Sequence, residues 1–492
     1  MHIPQQSVKH LHFVGIGGIG MSGIAEVLHN LGHQVRGSDV AKSNNVLRLQ
    51  KLGIPVDIGH EAKNVDGAQV VVVSSAVKAD NPEVLTARRM GIPVIQRAEM
   101  LAELMRLKRS IAISGTHGKT TTTSLAAALL DAAGLDPTVV NGGIINAYNT
   151  NARLGTGDWI VVEADESDGS FTRLPATIGV ITNIDPEHME FYGTVETLKK
   201  AFLEFIGHIP FYGAAILCAD HPTVMELAAK ISDRRVVTYG FASNATVRAI
   251  NLRMTENGTL FDVEIAGCLP VQTFINSSVA VMPLPHRIKD LFLPMVGKHN
   301  VQNALSAVAI AQELGLSEET IRSAFEQFKG VKRRFTKVGV SGGITIIDDY
   351  AHHPVEIQTV IRAAKQATTG KIVVVMQPHR YTRLNSLFAE FSACFDGADK
   401  VIITPIYTAG EDAIENVTSA HLVAAVKENG ISQVYEIQEQ KELPYMLRSL
   451  AQPGDMILCL GAGSITYWAA SLPMQLDTLW EDARPTIMTI SL

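Results

Sequence analysis

The sequence predicts an α/β protein of three consecutive domains. Its 492 residues correspond to about three domains at roughly 100–200 residues each. Short apolar strands alternate with amphipathic helical stretches along the chain, and the basic stretches MRLKRS (105–110) and Lys332–Arg334 interrupt that alternation. The domains expected are therefore 1–108, 109–331 and 332–492.

In the first block, His10–Val14 reads as a strand, Met21–Leu31 as a helix stopped by Gly32, and Gln34–Arg36 as the start of a second strand. Gln69–Val73 and Ile92–Ile95 are further strands. The second block opens with strand Ser110–Ser114 and a small-residue helix, Thr120–Ala133. Strands Trp159–Glu163, Ile178–Asn183 and Ala214–Ala219 follow. Arg248–Met254 and Thr259–Ile265, joined through Glu256-Asn257-Gly258, read as a hairpin, and Val301–Glu313 and Glu318–Phe328 as helices. Strands Ile344–Ile347, Ile372–Met376, Lys400–Thr404, Gln433–Tyr435 and Met456–Cys459 build the third block.

Composition narrows the function. At 46% apolar and 18% charged, the chain is not a disordered polymer, and a formal charge of −7 gives no support for nucleic-acid binding. Phe, Trp and Tyr make up only 6%, thin for a base-stacking surface. Cys218, Cys268, Cys394 and Cys459 stand far apart, which argues for unpaired thiols in a reducing compartment and against structural zinc. No apolar run reaches the roughly 18 residues of a membrane span, and the N-terminus lacks a signal-peptide pattern. A cytoplasmic small-molecule enzyme is expected.

Gly15, Gly17 and Gly20 form GxGxxG between strand and helix, and Asp39 ends the second strand. Such glycines let a pyrophosphate approach the backbone at a helix N-terminus. The pattern specifies a pyrophosphate and leaves the nucleotide open, with a nicotinamide cofactor the usual choice. Ser114-Gly115-Thr116-His117-Gly118-Lys119-Thr120 is a second loop, with Ile113 where the full P-loop pattern has glycine. Its N–H groups can cradle phosphates, Lys119 can reach the β/γ oxygens, and Thr120 can ligate magnesium. The run Thr120-Thr121-Thr122-Thr123 is a poor helix start, which points to a functional demand on a hydroxyl.

Glu163, Asp165, Glu166 and Asp168 crowd behind one strand, and Asp185-Pro186-Glu187-His188 follows another. Four carboxylates in six residues repel unless solvated or neutralised by cations, and oxygen plus imidazole donors suit Mg²⁺ or Mn²⁺. The third block carries Asp348-Asp349-Tyr350-Ala351-His352-His353-Pro354 and Gln377-Pro378-His379-Arg380-Tyr381-Thr382-Arg383 after strands. An apolar strand delivering two arginines to its end has little packing rationale and suits carboxylate or phosphate recognition.

Together these segments resemble the Mur ligases, ATP-dependent amide-forming enzymes of peptidoglycan precursor synthesis. The carriers are FVGIGGIGMSGIAEVL, VVVSSAV, IAISGTHGKTTTT, VVEADESDGSF, TNIDPEHMEFY, GKHNVQNALSA, VKRRF, IIDDYAHHP and QPHRYTR, in order across residues 13–383. Small departures are Ala351 and Gly169, where the family often has Gly and Ala; neither removes a polar group.

The resemblance implies a Rossmann-like UDP-binding domain, a P-loop-type ATPase central domain and a Rossmann-like C-terminal domain. The ESDGSF form favours the branch that joins L-alanine to UDP-N-acetylmuramate over the murein-peptide recycling branch. UDP would then be lined by Gly15, Gly17, Gly18, Gly20, Met21 and Ser22, with Asp39, Ser74 and Arg97 nearby, and the nicotinamide reading becomes second. ATP would meet Gly115, Thr116, His117, Gly118, Lys119, Thr120, Thr121, Asn300 and Asn303, with His299 close and Arg334 reaching across from the third domain. Thr120, Glu163 and His188 would hold Mg²⁺ (Mn²⁺ as the substitute). Asp349, Tyr350, His352, His379, Arg380 and Arg383 would surround the amino acid, and His352 or Asp349 would assist deprotonation of its amine. The expected partners are UDP-N-acetylmuramate, L-alanine and ATP, with no nucleic acid and no stable membrane insertion. A nucleotide-binding regulator on the same scaffold would bind without turnover; the set Lys119, Glu163, His188 and Arg334 argues against it.

Overall fold

A computed structural model of the chain describes residues 8–74, 76–255, 257–266 and 285–482. Cys268 and the turn residue Glu256 lie outside the described residues.

The first sheet holds β1 (His10–Val14), β2 (Gln34–Asp39), β3 (Val56–Ile58), β4 (Val70–Val73) and β5 (Val94–Gln96), all parallel in the order β3-β2-β1-β4-β5. Strand order reverses between β1 and β4, and a ligand crevice belongs outside their C-terminal ends. The helix Ile19–Asn30 starts there, two residues earlier than its apolar spacing predicts, and buries Met21, Ile24, Val27 and Leu28.

The second sheet has ten strands: β6 (Arg109–Ser114), β7 (Thr138–Ile145), β8 (Thr150–Arg153), β9 (Trp159–Glu163), β10 (Ile178–Ile181), β11 (Ala214–Cys218), β12 (Arg235–Gly240), β13 (Val247–Thr255), β14 (Gly258–Ile265) and β15 (His286–Leu293). Their order is β15-β14-β13-β12-β11-β10-β6-β9-β7-β8. Strands β12, β11, β10, β6, β9 and β7 run parallel, which explains their continuous apolar runs: both faces are covered. The helix Lys119–Ala132 follows β6 directly. With β9 and β10 on either side of β6, the chain after each neighbour emerges beside the N-terminus of this helix.

The third sheet orders β16 (Thr336–Ser341), β17 (Ile344–Asp349), β18 (Ile372–Met376), β19 (Lys400–Ile403), β20 (Val434–Glu436) and β21 (Met456–Leu460) as β16-β17-β21-β18-β19-β20. Only the edge pair β16–β17 is antiparallel. Its core includes Ile347, Ile361, Val374, Phe391 and Leu458.

The chain divides into two compact units. One is built on the first two sheets, and the other on the third sheet with the stretches Arg253–Thr259 and Met295–Asn300. Among the described residues no helix is long and apolar enough to cross a membrane, and Cys218, Cys394 and Cys459 are buried free thiols.

Candidate active site

The first glycine loop is held from beneath by the end of β2. The Ser38 carbonyl accepts the Gly15 and Ile16 N–H groups at 2.9 and 3.0 Å, and the Asp39 carboxylate accepts the Gly17 N–H at 2.8 Å. A Cβ on Gly17 would fall 2.8 Å from both Asp39 Oδ2 and Val46 Cγ2, so any side chain there would displace the carboxylate that holds the loop. Gly18 caps the helix Ile19–Asn30, whose first-turn N–H groups have no intrahelical partner and can meet an anion. Met21 and Ser22, expected to line UDP, offer the crevice their backbone rather than their side chains. Both are buried, and Ser22 Oγ donates to the Ile19 carbonyl, because this face of the helix packs inward. Asp39 is likewise engaged by its own loop. Arg97 borders Gly20 and reaches Asp165 Oδ2 at 3.4 Å, and Ser74 lies beside Gly15.

The second loop wraps the N-terminus of the helix Lys119–Ala132. Gly115 has φ +128°, and a Cβ there would lie 2.1 Å from Thr182 Oγ1. Segment 182–185 ties the loop down. His117 N–H donates to Asn183 Oδ1 at 2.7 Å, and Thr116 Oγ1 accepts the Asp185 N–H at 2.9 Å. Gly118 is left-handed at the N-cap and has Asn303 Oδ1 against it. Lys119 Nζ lies 2.7 Å from the Gly115 carbonyl and from Glu166 Oε2. Burial opposes its charge, but the carboxylates of Glu166, Asp165 and Glu163 hold it well above the usual lysine range. Burial, with Asp165 adding to it, pushes Glu166 up to about 7 against the pull of Lys119. The lysine therefore keeps its charge, and Glu166 titrates near neutrality.

The threonine run does not carry four available hydroxyls. Thr120 and Thr121 are nearly buried, and Thr122 and Thr123 are wholly so, packed as part of the core. Asn300 donates its side-chain N–H to the Val296 carbonyl at 2.7 Å, so its amide shapes the start of the helix Lys298–Leu314.

Of the acidic and imidazole side chains expected near a cation, three lie together. Donor atoms of Glu166, Glu187 and His188 lie within 4.8 Å of one another, whereas Glu163 accepts the Gly142 N–H at 2.8 Å. His188 has φ +57°, a conformation uncommon for a non-glycine residue and frequent at functional sites. Two carboxylates and an imidazole fit a hard divalent cation.

In the second unit, the C-terminal ends of β17, β21, β18 and β19 gather the other polar set. The Asp349 carboxylate accepts the Phe335 and Ala351 N–H groups at 2.7 and 2.8 Å, and burial pushes it up to about 6 against the pull of Arg334. The Arg333 and Arg334 guanidinium groups lie 4.6 and 5.4 Å from the Tyr350 ring centre. The Tyr350 and His352 rings meet at 5.1 Å, His352 and His379 at 6.0 Å. Arg383 Nη1 approaches His379 Nδ1 at 3.2 Å. Burial, then His352, Arg383 and Arg380, push His379 down to about 3, so it is a neutral imidazole. Arg380 is half exposed with φ +69°. His299 is also held neutral, lowered to about 4 by burial and then Arg334.

One neighbour of the polar set, Tyr407, was not singled out by sequence. Tyr407 stacks on His379 at 5.5 Å, and its carbonyl accepts the Arg380 N–H. Glu187, which the sequence places in the DPEH donor segment without assigning it to the metal, lies with His188 and Glu166 in a group that could hold a cation.

A glycine loop of the phosphate-binding form whose lysine meets a buried carboxylate, beside side chains that could hold a hard cation, is an arrangement suited to an enzyme that handles nucleotide phosphates. Family models match almost end to end: Mur ligase family, catalytic domain, over residues 10–109; Mur ligase middle domain over 113–311; and Mur ligase, glutamate ligase domain, over 333–463. The chain belongs to the Mur ligase family. It is 57% identical to the UDP-N-acetylmuramate–L-alanine ligase of Rhodospirillum centenum, covering 96% of this chain and 95% of that one. With the enzyme of the same name from Bradyrhizobium diazoefficiens it shares 54%, covering 97% and 100%. The crystal structure of UDP-N-acetylmuramate-alanine ligase from Thermotoga maritima is similar with a TM-score of 0.78 at 29% identity, covering 96% of this chain and all of that one. A murein peptide ligase from Psychrobacter arcticus shares the fold (TM-score 0.67, 22% identity, 95% and 99% covered).

Proposed function

We propose that this Mur ligase joins L-alanine to the lactyl carboxylate of UDP-N-acetylmuramate, with ATP converted to ADP and phosphate, in cytoplasmic peptidoglycan synthesis. The observation that carries the reaction class is Lys119 in the phosphate loop, charged and surrounded by carboxylates. The choice of alanine and of the UDP-sugar rests on the likeness to relatives of that activity over nearly the whole chain.

A carboxylate resists amines because its leaving group would be oxide. Attack of the lactyl carboxylate on the γ-phosphorus of ATP expels ADP and leaves an acyl phosphate. The alanine nitrogen then adds to the acyl carbon, gives up a proton, and phosphate departs as the amide forms. In the first step two anions must meet, so cationic stabilisation is the main demand. Lys119 supplies it at the transferred phosphate, exchanging Glu166 and the loop carbonyls for phosphate oxygens; Arg334 is assigned to the same charge. Magnesium, held by Thr120 and His188 with Glu163, Glu166 or Glu187, would neutralise phosphate charge. Asp349 and His352 are the candidate proton acceptors for the amine. Asp349, raised to about 6 by burial, is brought toward neutral pH. His379, Arg380, Arg383 and Tyr350 are assigned to the amino acid, the arginines facing its carboxylate.

The first glycine loop is assigned to the UDP diphosphate through the N–H groups of Gly18, Gly20 and their neighbours. Family membership removes the nicotinamide reading. Phosphate release from ATP that requires both UDP-N-acetylmuramate and L-alanine is the expected result. Release with a murein tripeptide in place of alanine would move the chain to the recycling branch.

A further inference from the structure

Beneath the first glycine loop lies a polar cluster that no step above employs. Glu83, in the first turn of the helix Pro82–Arg89, is wholly buried. Its carboxylate accepts Ser38 Oγ–H at 2.7 Å, Asn64 Nδ2–H at 2.6 Å and the Glu61 N–H at 3.3 Å. His12 Nε2 lies 3.0 Å away and His60 Nδ1 3.4 Å. One side chain thus joins β1, β2, the segment after β3 and the helix after β4. Burial opposes its ionisation, but His12, Ser38 and Asn64 hold it down at about 2.

Ser38 connects this cluster to the loop. Its hydroxyl binds Glu83 while its carbonyl holds the N–H groups of Gly15 and Ile16, and its neighbour Asp39 holds that of Gly17. Three consecutive loop N–H groups are therefore fixed by two residues, one of which is anchored on Glu83. A buried charge with several donors is a costly way to fill space, since apolar side chains of similar volume are often neutral or stabilising in its place. What such a cluster does supply is fixed geometry, and a phosphate cradle needs its shape set before the ligand arrives.

We propose that Glu83 is a positioning residue for the UDP-sugar, setting the conformation of the glycine loop through Ser38 without touching the ligand. This rests on the assignment of that loop to UDP-N-acetylmuramate. Calorimetric titration of UDP-N-acetylmuramate into the full chain, with KM and kcat for each substrate, compares the wild type with Glu83→Gln and Ser38→Ala. Glu83→Gln is expected to weaken UDP-sugar binding about tenfold, or about 1.4 kcal/mol. Its kcat at saturating sugar and its KM for ATP should stay within about twofold of wild type. Ser38→Ala should move the same parameter in the same direction by less, and it decides the matter if Glu83→Gln does not fold. A wild type that fails to bind the UDP-sugar overturns the loop assignment and this proposal together. A wild type that binds it, with both variants indistinguishable from it, overturns the proposal alone. Equal losses in the sugar and ATP parameters, with a lower melting temperature, would reduce Glu83 to a structural residue and also overturn it.

Discussion

Lys119 Nζ lies 2.7 Å from Glu166 Oε2, and the same ammonium donates to the carbonyl of Gly115 at 2.7 Å and of Thr116 at 3.1 Å. The lysine is thereby folded onto its own loop. Removing it leaves the loop's N–H groups but no mobile cation. Lys119→Ala is expected to lower ATP-dependent phosphate release by about 100-fold or more, roughly 2.7 kcal/mol of barrier. A loss smaller than about tenfold, or 1.4 kcal/mol, would show that the loop is misassigned.

Gly115 combines a left-handed φ of +128° with a Cβ position 2.1 Å from Thr182 Oγ1. Gly115→Ala must therefore strain the backbone and displace segment 182–185. A destabilisation of about 1–3 kcal/mol is expected in denaturant unfolding, together with loss of ATP binding. An alanine variant that melts and binds ATP like the wild type would contradict the loop geometry.

The cation set should respond to His188. With Glu166, Glu187 and His188 as neighbours, His188→Ala removes the one nitrogen donor. The magnesium concentration for half-maximal activity should rise by about tenfold or more, in line with the cost of disturbing a metal site. An unchanged magnesium curve would place the cation elsewhere.

The amino-acid set makes a prediction about selectivity between substrates. Arg380→Ala should raise KM for alanine by about tenfold, as expected for a lost charge-assisted pair, and leave KM for the UDP-sugar near wild type. Tyr407→Ala, which removes the ring stacked on His379, should act in the same direction. Equal effects on both substrates would count against this pocket.

Asp349 gives a pH dependence with a definite sign. Its carboxyl is raised from 3.8 to about 6 by burial, so the folded protein binds the proton more tightly than the unfolded chain. Between these values the folded state holds more protons, and stability falls as pH rises through the window. Glu166, raised from 4.5 to about 7, has the same sign, whereas Glu83, lowered to about 2, loses its contribution only below 4.5. Asp349→Asn should flatten the decline in melting temperature between about pH 4 and 6. An identical slope in the variant would contradict the burial argument.

The parallel strands were legible because their apolar runs are continuous: Trp159–Glu163 and Ile372–Met376 have the bounds their composition suggests. The strands Thr138–Ile145 and Thr150–Arg153 were missed, since Asn141-Gly142-Gly143 breaks the pattern and edge pairing with a bulge supplies the rest. The loops were visible because glycine spacing is local. Side-chain direction was not: which face of the helix after Gly18 packs inward decides that Met21 and Ser22 are buried. Nor could spacing show which of four crowded carboxylates meets Lys119, because that choice is made by β9 and β6 pairing in register. Tyr407 comes to His379 from the segment after β19, through an isolated bridge that the pairing of β18 with β19 brings about.

The central claim is tested most directly by measuring phosphate release from ATP and magnesium with each acceptor omitted in turn. Release that requires both UDP-N-acetylmuramate and L-alanine, and that yields UDP-N-acetylmuramoyl-L-alanine, is the predicted result. No release with both present, or release indifferent to either one, would contradict it.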